Sequence, residues 1–167
     1  MIEVVIDSIR ISLVSQHRIV MLKDMESEQQ LAIWIGPCEA EAITIELQNT
    51  KVARPLTHDL LRNTIEAMDG TVTRIVVNDL REAVFYATLY VEVNGEEKEI
   101  DCRPSDAIAL AVRTKVPIFV EEHVLEEAGI LPEPDIQETQ GGDDEPESLD
   151  AFSDFVDTLD FDDLDES

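Results

Sequence analysis

The stretch Ile100-Asp-Cys-Arg-Pro-Ser-Asp-Ala-Ile-Ala-Leu-Ala-Val-Arg-Thr-Lys-Val-Pro-Ile-Phe-Val120 predicts a strand end, a loop, a buried helix and a second strand. The loop stops at Pro104, because proline lacks the N–H that a strand ladder needs but fits the first turn of a helix. Ser105 or Asp106 can cap free backbone N–H groups there. Every residue from Ala107 to Val112 is apolar, so we expect this helix to be packed on most of its faces.

A similar arrangement stands earlier, at Arg54-Pro55-Leu56-Thr57-His58-Asp59-Leu60-Leu61. Thr57 is a good N-cap residue, so the pattern predicts a helix that begins there. Apolar residues at helical spacing predict its buried face, formed by Leu60, Leu61, Ile65 and Met68. Both helix starts follow an arginine and carry a carboxylate in the first turn, and we expect the chemistry of the protein to lie there.

The rest of the chain predicts an α+β fold, with a mixed, largely antiparallel sheet covered by helices in a single domain. Alternating apolar and polar residues over 85–93 predict a long strand with one buried face, and Asn94-Gly95 predicts a hairpin. Residues 37–48 predict a helix that buries Ala40, Ile43 and Leu47. Strict βαβ alternation is missing, which argues against a doubly wound fold.

The charge divides the chain into a domain over residues 1–130 and an acidic tail over 131–167. Of the 38 Asp and Glu residues, 15 lie in the tail, which leaves 23 against 12 Lys and Arg in residues 1–130, a net charge of −11. The composition of the tail is typical of disordered segments. Apolar residues recur at helical spacing over 148–164, so a short amphipathic segment that docks a protein partner is the alternative to a solvated tail.

A nucleic-acid-binding domain usually has a basic face, because phosphate neutralisation supplies much of the affinity. The net charge of this chain, −26, argues against tight non-specific binding of a duplex. A local basic cluster is still compatible with the sequence and would consist of Arg54, Arg62, Arg103, Arg113 and Lys115.

The two cysteines, Cys38 and Cys102, are far apart and have no zinc-site spacing, so we expect both to be small buried thiols. The first residues lack the basic and long apolar regions of a signal peptide. No apolar run approaches the length of a membrane span. A cytoplasmic location without membrane attachment is therefore expected.

Three segments resemble the bifunctional nuclease family: Arg54 to Leu61, Phe85-Tyr86-Ala87, and Ile100 to Leu110. Trp34-Ile35-Gly36, followed by Glu39-Ala40, fits the same pattern. The resemblance covers residues 1–130 and implies a domain that cleaves DNA and RNA. It also implies a homodimer, which a strand at a sheet edge would suit.

A phosphodiesterase needs positive charge on the phosphate and an activated water molecule. Arg54 and Arg103 are candidates to bind the phosphate as bidentate donors. Thr57 and Ser105 lie at the helix starts beside them, where the N-terminal N–H groups add a site for an anion. These four residues are the predicted substrate-binding set.

The predicted catalytic residues are His58, Asp59 and Asp106, with His58 as the general base. Asp59, Asp101 and Asp106 are the predicted ligands of Mg²⁺ or Mn²⁺, since these hard cations prefer carboxylates and water. Glu39 is a weaker candidate ligand. Each acid has a purely structural alternative, because a carboxylate in the first turn stabilises a helix without any further role.

Three functions are compatible with these residues. The first is a metal-assisted nuclease with low sequence specificity, acting on single-stranded or non-specific DNA and RNA. The alternative is a non-catalytic or regulatory module that binds a nucleotide or another small anion. The third is an interaction protein whose acidic tail docks a basic partner. A nuclease predicts that His58, Asp59 and Asp106 converge on one cleft, whereas a binding module predicts converging arginines.

Overall fold

The computed structural model describes residues 1–12 and 17–132. Within them the chain forms strands and helices in the following order: β1 (Ile2–Ile11), β2 (Arg18–Asp24), β3 (Gln30–Ile35), α1 (Pro37–Leu47), α2 (Thr57–Ala67), β4 (Gly70–Arg81), β5 (Val84–Val93), β6 (Glu96–Cys102), α3 (Pro104–Thr114), β7 (Ile118–Val120), α4 (Glu122–Ala128) and β8 (Gly129–Ile130). The acidic tail and its predicted amphipathic segment lie outside the described residues.

The described strands form one sheet with the order β6-β5-β4-β7-β1-β2-β3-β8. Every neighbouring pair is antiparallel except β4 and β7, which are parallel. The predicted α+β class, with a mixed and largely antiparallel sheet in a single domain, is confirmed. None of the helices in the described residues is long and apolar enough to cross a membrane.

Helix α3 lies at the centre of the packing, where it contacts α1, α2, β4 and β5. Its residues Ala107 to Ala111 are all buried, as their unbroken apolar run predicts. Ile108 packs in one core with Ile43 of α1 and Ile75 of β4, and all three are fully buried. Full burial of such a side chain stabilises the fold by about 1.5–3 kcal/mol. The start of α3 is therefore held rigidly between α1 and α2.

The prediction that α2 buries Leu60, Leu61 and Met68 is wrong. Their exposed fractions are 62%, 41% and 70%. The helix instead turns His58 inward, because its first turn is bonded to α3, and only Ile65 of the predicted face packs against the core. Polar contacts in its first turn thus fix the rotation of the helix about its axis, although its apolar pattern predicts a different rotation. Leu60, Leu61 and Met68 are left as an apolar stripe on the surface of the described domain.

Smaller differences concern positions near the ends of helices. Thr57 is the first residue of α2 rather than its N-cap, a position that Leu56 occupies. Leu47, in the last turn of α1, is exposed rather than buried. Cys38 is also exposed, because it lies in the first turn of α1 where the helix meets solvent. Cys102 is half-buried, and its Sγ–H donates to the Ala87 carbonyl.

Candidate functional site

The N-termini of α1, α2 and α3 border one cleft of about 570 Å³. Helix α1 contributes Cys38 and Glu39, α2 contributes Thr57 and His58, and the start of α3 contributes its own pair, Arg103 and Asp106. The first N–H groups of a helix have no partner within it, and the helix dipole makes this end positive. The cleft is therefore surrounded by helix ends that favour negative charge.

His58 and Asp106 form a pair in the wall of the cleft. The Nε2 atom of His58 lies 3.1 Å from Oδ1 of Asp106, and only 8% of His58 is exposed. A carboxylate can only accept, so Nε2 carries the hydrogen in this contact. The Nδ1 atom makes no hydrogen bond with any described residue. This is the arrangement of a general base whose ring is oriented by an acid.

Arg103 connects the start of α3 with α1. Its Nε donates to Oδ2 of Asp106 at 2.7 Å, and its Nη2 donates to Oδ1 of Asp106 at 3.0 Å and to Oε1 of Glu39 at 2.8 Å. The Nη1 group has no partner among the described residues. The guanidinium is therefore fixed by two carboxylates and keeps one end free for a ligand.

Charges in the cleft keep Asp106 ionised. Burial alone would raise the pKa of Asp106, but the hydrogen bonds from Arg103 and His58 outweigh it and hold the pKa below its usual value. The hydrogen bond that Arg103 donates to Asp106 raises the pKa of Arg103 most, and the hydrogen bond to Glu39 raises it further. Asp106 therefore stays ionised at neutral pH and accepts the hydrogen bond from the His58 N–H.

Asp59 has a different environment from Asp106. Its Oδ2 accepts the Leu56 backbone N–H at 2.8 Å, which caps α2, and its Oδ1 accepts Nε of Arg113 at 2.7 Å. Arg113 has a side chain only 1% exposed and also donates to the carbonyls of Ala109 and Ala42. Burial would raise the pKa of Asp59, but the Leu56 and Arg113 hydrogen bonds lower it overall. This ion pair ties α1, α2 and α3 together.

The other predicted site residues are dispersed. Arg54 and Asp59 line a second depression, of about 300 Å³. Ser105 is buried and lies outside the lining of the cleft. Asp101 is exposed on the edge strand β6, opposite Thr88. Of the predicted set, His58, Thr57, Arg103 and Asp106 line the cleft, whereas Arg54, Asp59, Asp101 and Ser105 do not.

The predicted metal ligands do not form a coordination group. Both oxygens of Asp59 and of Asp106 accept hydrogen bonds within the protein, and Asp101 does not line the cleft. Over residues 1–12 and 17–132, no three His, Cys, Asp or Glu side chains are grouped to hold a metal ion. A cation such as Mg²⁺ needs several oxygen ligands at close range. The described residues therefore do not fit a cation held by Asp59, Asp101 and Asp106.

Two residues have more important contacts than the sequence indicated. Glu39 holds Arg103, and its position in the first turn of α1 was the only sign of this role. Arg113 is the buried partner of Asp59. It follows the apolar run of α3, and an arginine on an otherwise buried helix requires a carboxylate partner. That rule could have identified it.

The cysteines have no evident place in the chemistry of the cleft. Burial, with the charge of Asp101 next, raises the pKa of Cys102 to about 11, so its thiol stays protonated. Cys38 borders the cleft and also a larger depression of about 770 Å³ between β1 and α1. That depression is lined mainly by apolar side chains and contains none of the predicted site residues.

Together, the fold and the cleft define an α+β domain with a histidine, a carboxylate and an arginine at the meeting point of three helix starts. The family model of the bifunctional nuclease domain matches residues 20–133 of the chain. The chain belongs to this family, and the predicted resemblance is confirmed. A nuclease-like domain is the functional class that this membership supports.

Among similar proteins, an uncharacterized protein of Mycobacterium tuberculosis is 36% identical over 162 residues, which is 97% of each chain. Bifunctional nuclease 1 of rice, Oryza sativa subsp. japonica, is 30% identical over 119 residues, or 68% of this chain and 36% of the rice protein. Bifunctional nuclease 2 of Arabidopsis thaliana is 30% identical over 113 residues, or 65% of this chain and 34% of its own length. The plant proteins are thus matched over about a third of their length.

Proposed function

We propose that the chain is a nuclease that hydrolyses phosphodiester bonds of DNA or RNA with low sequence specificity. The observation that carries this proposal is the convergence of His58, Asp106 and Arg103 on one cleft where three helix N-termini meet. A base, an acid that orients it and a phosphate-binding cation are the groups that diester hydrolysis needs. The similarity to plant proteins named as bifunctional nucleases supports the same reaction class.

In the proposed reaction, His58 activates water. Asp106 accepts the Nε2–H and holds the ring, so Nδ1 can take a proton from a water molecule as its oxygen attacks phosphorus. The bond between phosphorus and the leaving oxygen breaks, and that oxygen takes a proton from solvent. Hydrolysis thus produces one phosphate monoester and one hydroxyl group. Proton transfer by a positioned side chain contributes about 10²–10⁴-fold to such rates.

Arg103 and the helix ends are proposed to bind the phosphate. The free Nη1 of Arg103 can donate to a phosphate oxygen while Asp106 and Glu39 hold the rest of the guanidinium. Three carboxylates, Glu39, Glu41 and Asp106, line the cleft with this one arginine, so the unpaired N–H groups of the helix starts have to supply the remaining attraction. Thr57, at the first position of α2, is exposed at the mouth of the cleft and suits a further contact with substrate.

Dependence on Mg²⁺ or Mn²⁺ stays a prediction from the sequence. The described carboxylates do not fit a cation site of their own, so the proposed reaction includes no step through a metal ion. Activity in EDTA, compared with activity in each cation, tests this point separately from the role of His58.

The experiment is cleavage of labelled single-stranded DNA and RNA by the purified protein with Mg²⁺, with Mn²⁺ and with EDTA. We expect His58→Ala and Asp106→Asn each to lower the cleavage rate by at least about 100-fold, the size of a lost general base. His123→Ala is the matched control, because His123 is an exposed histidine of α4 outside the cleft. All variants are purified identically, since a contaminating nuclease is the main source of error.

Two outcomes would contradict the proposal. Equal cleavage by the wild type, His58→Ala and Asp106→Asn would assign the activity to a contaminant or to another site. No cleavage of DNA or RNA under any of the three conditions, from a folded wild-type protein, would exclude this activity for the substrates tested.

A binding module is the second candidate, and one observation favours it. Asp59 and Asp106 are engaged in ion pairs, as expected of acids that serve structure, while Arg103 keeps a free donor. On this alternative, a mononucleotide binds in the cleft and is released unchanged. Calorimetric binding of a nucleotide without turnover, lost in Arg103→Gln, would favour this function over the nuclease.

Homodimer formation and docking by the tail are untested predictions. The exposed stripe of Leu60, Leu61 and Met68 on α2 is the surface that we propose for a second copy, since exposed apolar patches are typical of interfaces. For the tail, removal of residues 131–167 should abolish binding of a basic protein partner and leave the free energy of unfolding of the domain unchanged. Pull-down and denaturation of the truncated protein measure the two effects.

A further inference from the structure

A second depression adjoins the cleft along the same loop. Its charged lining consists of Arg54, Arg62 and the carboxylates of Glu46 and Asp59, and its volume is about 300 Å³. Pro55 borders both this depression and the cleft that contains His58. The two spaces are therefore neighbours, separated by one residue of the loop between α1 and α2.

The loop between α1 and α2 carries positively charged side chains that form no ion pair with any described residue. Within the described residues, Lys51, Arg54 and Lys115 make no ion pair and no side-chain hydrogen bond. Other cations are engaged, as Arg74 is by Glu97 and Arg103 by Asp106. Two of the three unpaired cations lie three positions apart in the loop 48–56, and both are exposed. The domain has a net charge of −11 over residues 1–130, and Glu46 and Asp59 line the same depression, so the two loop cations are isolated positive charges beside the cleft.

Arg54 lies a short distance along the chain from the cleft. Arg54 lies four positions before His58, so their Cα atoms are at most about 14 Å apart even if the chain is fully extended. Both side chains add reach, so a strand bound at His58 passes Arg54 within a small number of nucleotides.

We propose that Arg54, assisted by Lys51 three positions earlier in the same loop, binds a backbone phosphate next to the one held in the cleft. This inference rests on the proposed function and adds the substrate class, which is a single-stranded oligonucleotide rather than a mononucleotide or a small diester. A flexible strand can follow one short basic loop, whereas the charge of the rest of the domain repels a rigid duplex. Arg62 forms the far wall of this second subsite, where it is held by Asn63 and Glu66.

The test is binding of a fluorescent single-stranded oligonucleotide by anisotropy over a range of salt concentrations. We expect Arg54→Gln to weaken binding about tenfold, the size of one lost charge-assisted contact, and to reduce the slope of log K against log salt by about 0.7. Lys51→Gln should have a smaller effect in the same direction. Lys115→Gln removes an equally unpaired charge outside both spaces and should bind within about twofold of wild type.

A mononucleotide provides the second measurement, because it occupies the cleft without reaching the second subsite. Arg54→Gln should weaken its binding much less than that of the oligonucleotide. The proposal is overturned if Arg54→Gln binds the oligonucleotide like wild type, or if this variant loses the same factor of affinity for both ligands. It is also overturned if the wild type fails to bind the oligonucleotide at low salt.

These outcomes are separate from those for catalysis. Binding that depends on Arg54, without any cleavage, would contradict the nuclease and leave the second subsite in place. Cleavage that depends on His58 but is indifferent to Arg54 would overturn the second subsite alone.

Discussion

The two Arg-Pro segments look alike in sequence but perform different tasks. At α3, Pro104 is the first helical residue, and Arg103 bonds Asp106 three positions later. At α2, Pro55 lies two positions before the first helical residue, and Arg54 makes no ion pair or hydrogen bond with Asp59 five positions later. Asp59 and Asp106 occupy the same third position of their helices. One aspartate caps its helix and anchors the core, and the other orients a histidine.

The difference follows from two extra residues in the first segment. Residues three apart at a helix start face each other, whereas residues five apart with a proline between them do not. The longer segment therefore leaves Arg54 free and places His58 where it can reach Asp106. The shorter one uses its arginine to fix Asp106. Both segments thus contribute to the cleft, the first through His58 and the second through Arg103 and Asp106, whereas Asp59 of the first segment serves stability.

Asp59→Asn should have the largest effect on stability. It leaves the guanidinium of Arg113 buried without a countercharge, and breaking a buried pair costs about 3 kcal/mol or more. Asp106→Asn should cost clearly less, because its partner Arg103 is exposed to water. Urea denaturation of both variants measures the free energy of unfolding. Equal losses would mean that the two aspartates do not differ in role.

The pH dependence of stability sharpens the same comparison. The folded pKa of Asp59 is below its usual value of 3.8, so its contribution is present above about pH 4 and is lost as pH falls through the folded pKa. The difference in unfolding free energy between wild type and Asp59→Asn should therefore be constant from about pH 6 to about pH 4 and shrink as the pH falls further towards 2. Denaturation at several pH values provides the data. A difference that stays constant would rule out a titrating Asp59–Arg113 pair as its source.

Much of this architecture could be predicted from the sequence, because alternation, turn residues and prolines act locally. The α3 run from Ala107 to Val112 is apolar on all sides, and no polar contact opposed its burial. Helix α2 shows the limit. Its apolar residues predict one buried face, but His58 bonds a residue 48 positions away and turns that face outward. A contact so distant in sequence leaves no periodic pattern to read.

For the candidate site, the sequence indicated two helix starts but not their contact. His58, Arg103 and Asp106 lie together because α2 and α3 pack with these starts side by side, and the roles assigned to them stay predictions. Asp59 and Arg54 were assigned to the same site as His58 because the two Arg-Pro segments look alike, but in the structure neither residue lines the cleft. Which aspartate meets a buried arginine and which meets a histidine depends on how the helices pack, and the local residue types do not specify this.

Glu39→Gln should have a smaller effect, on catalysis more than on stability. The Glu39–Arg103 ion pair contributes about 0.5 kcal/mol, since the arginine is exposed, so we expect a loss of kcat of about twofold. Removal of a negative charge should at the same time lower KM for the nucleic acid. Glu41→Gln is the control, because Glu41 borders the cleft without bonding Arg103, and it should lower KM alone. An unchanged kcat in Glu39→Gln would show that Glu39 does not position Arg103 for catalysis.

Leu61→Glu should have the smallest effect on the fold, because the side chain is already exposed and such surface changes stay within about 0.5 kcal/mol. Its consequence concerns the stripe that the rotation of α2 leaves on the surface. If a second copy covers this stripe, light scattering should show a wild-type dimer and a Leu61→Glu monomer, since a buried carboxylate without a partner opposes association. Val84→Glu, at another exposed apolar position, should leave the dimer intact. A dimer that persists in Leu61→Glu would place the interface elsewhere, and α2 would then have turned outward only because His58 and Asp59 are bonded to α3.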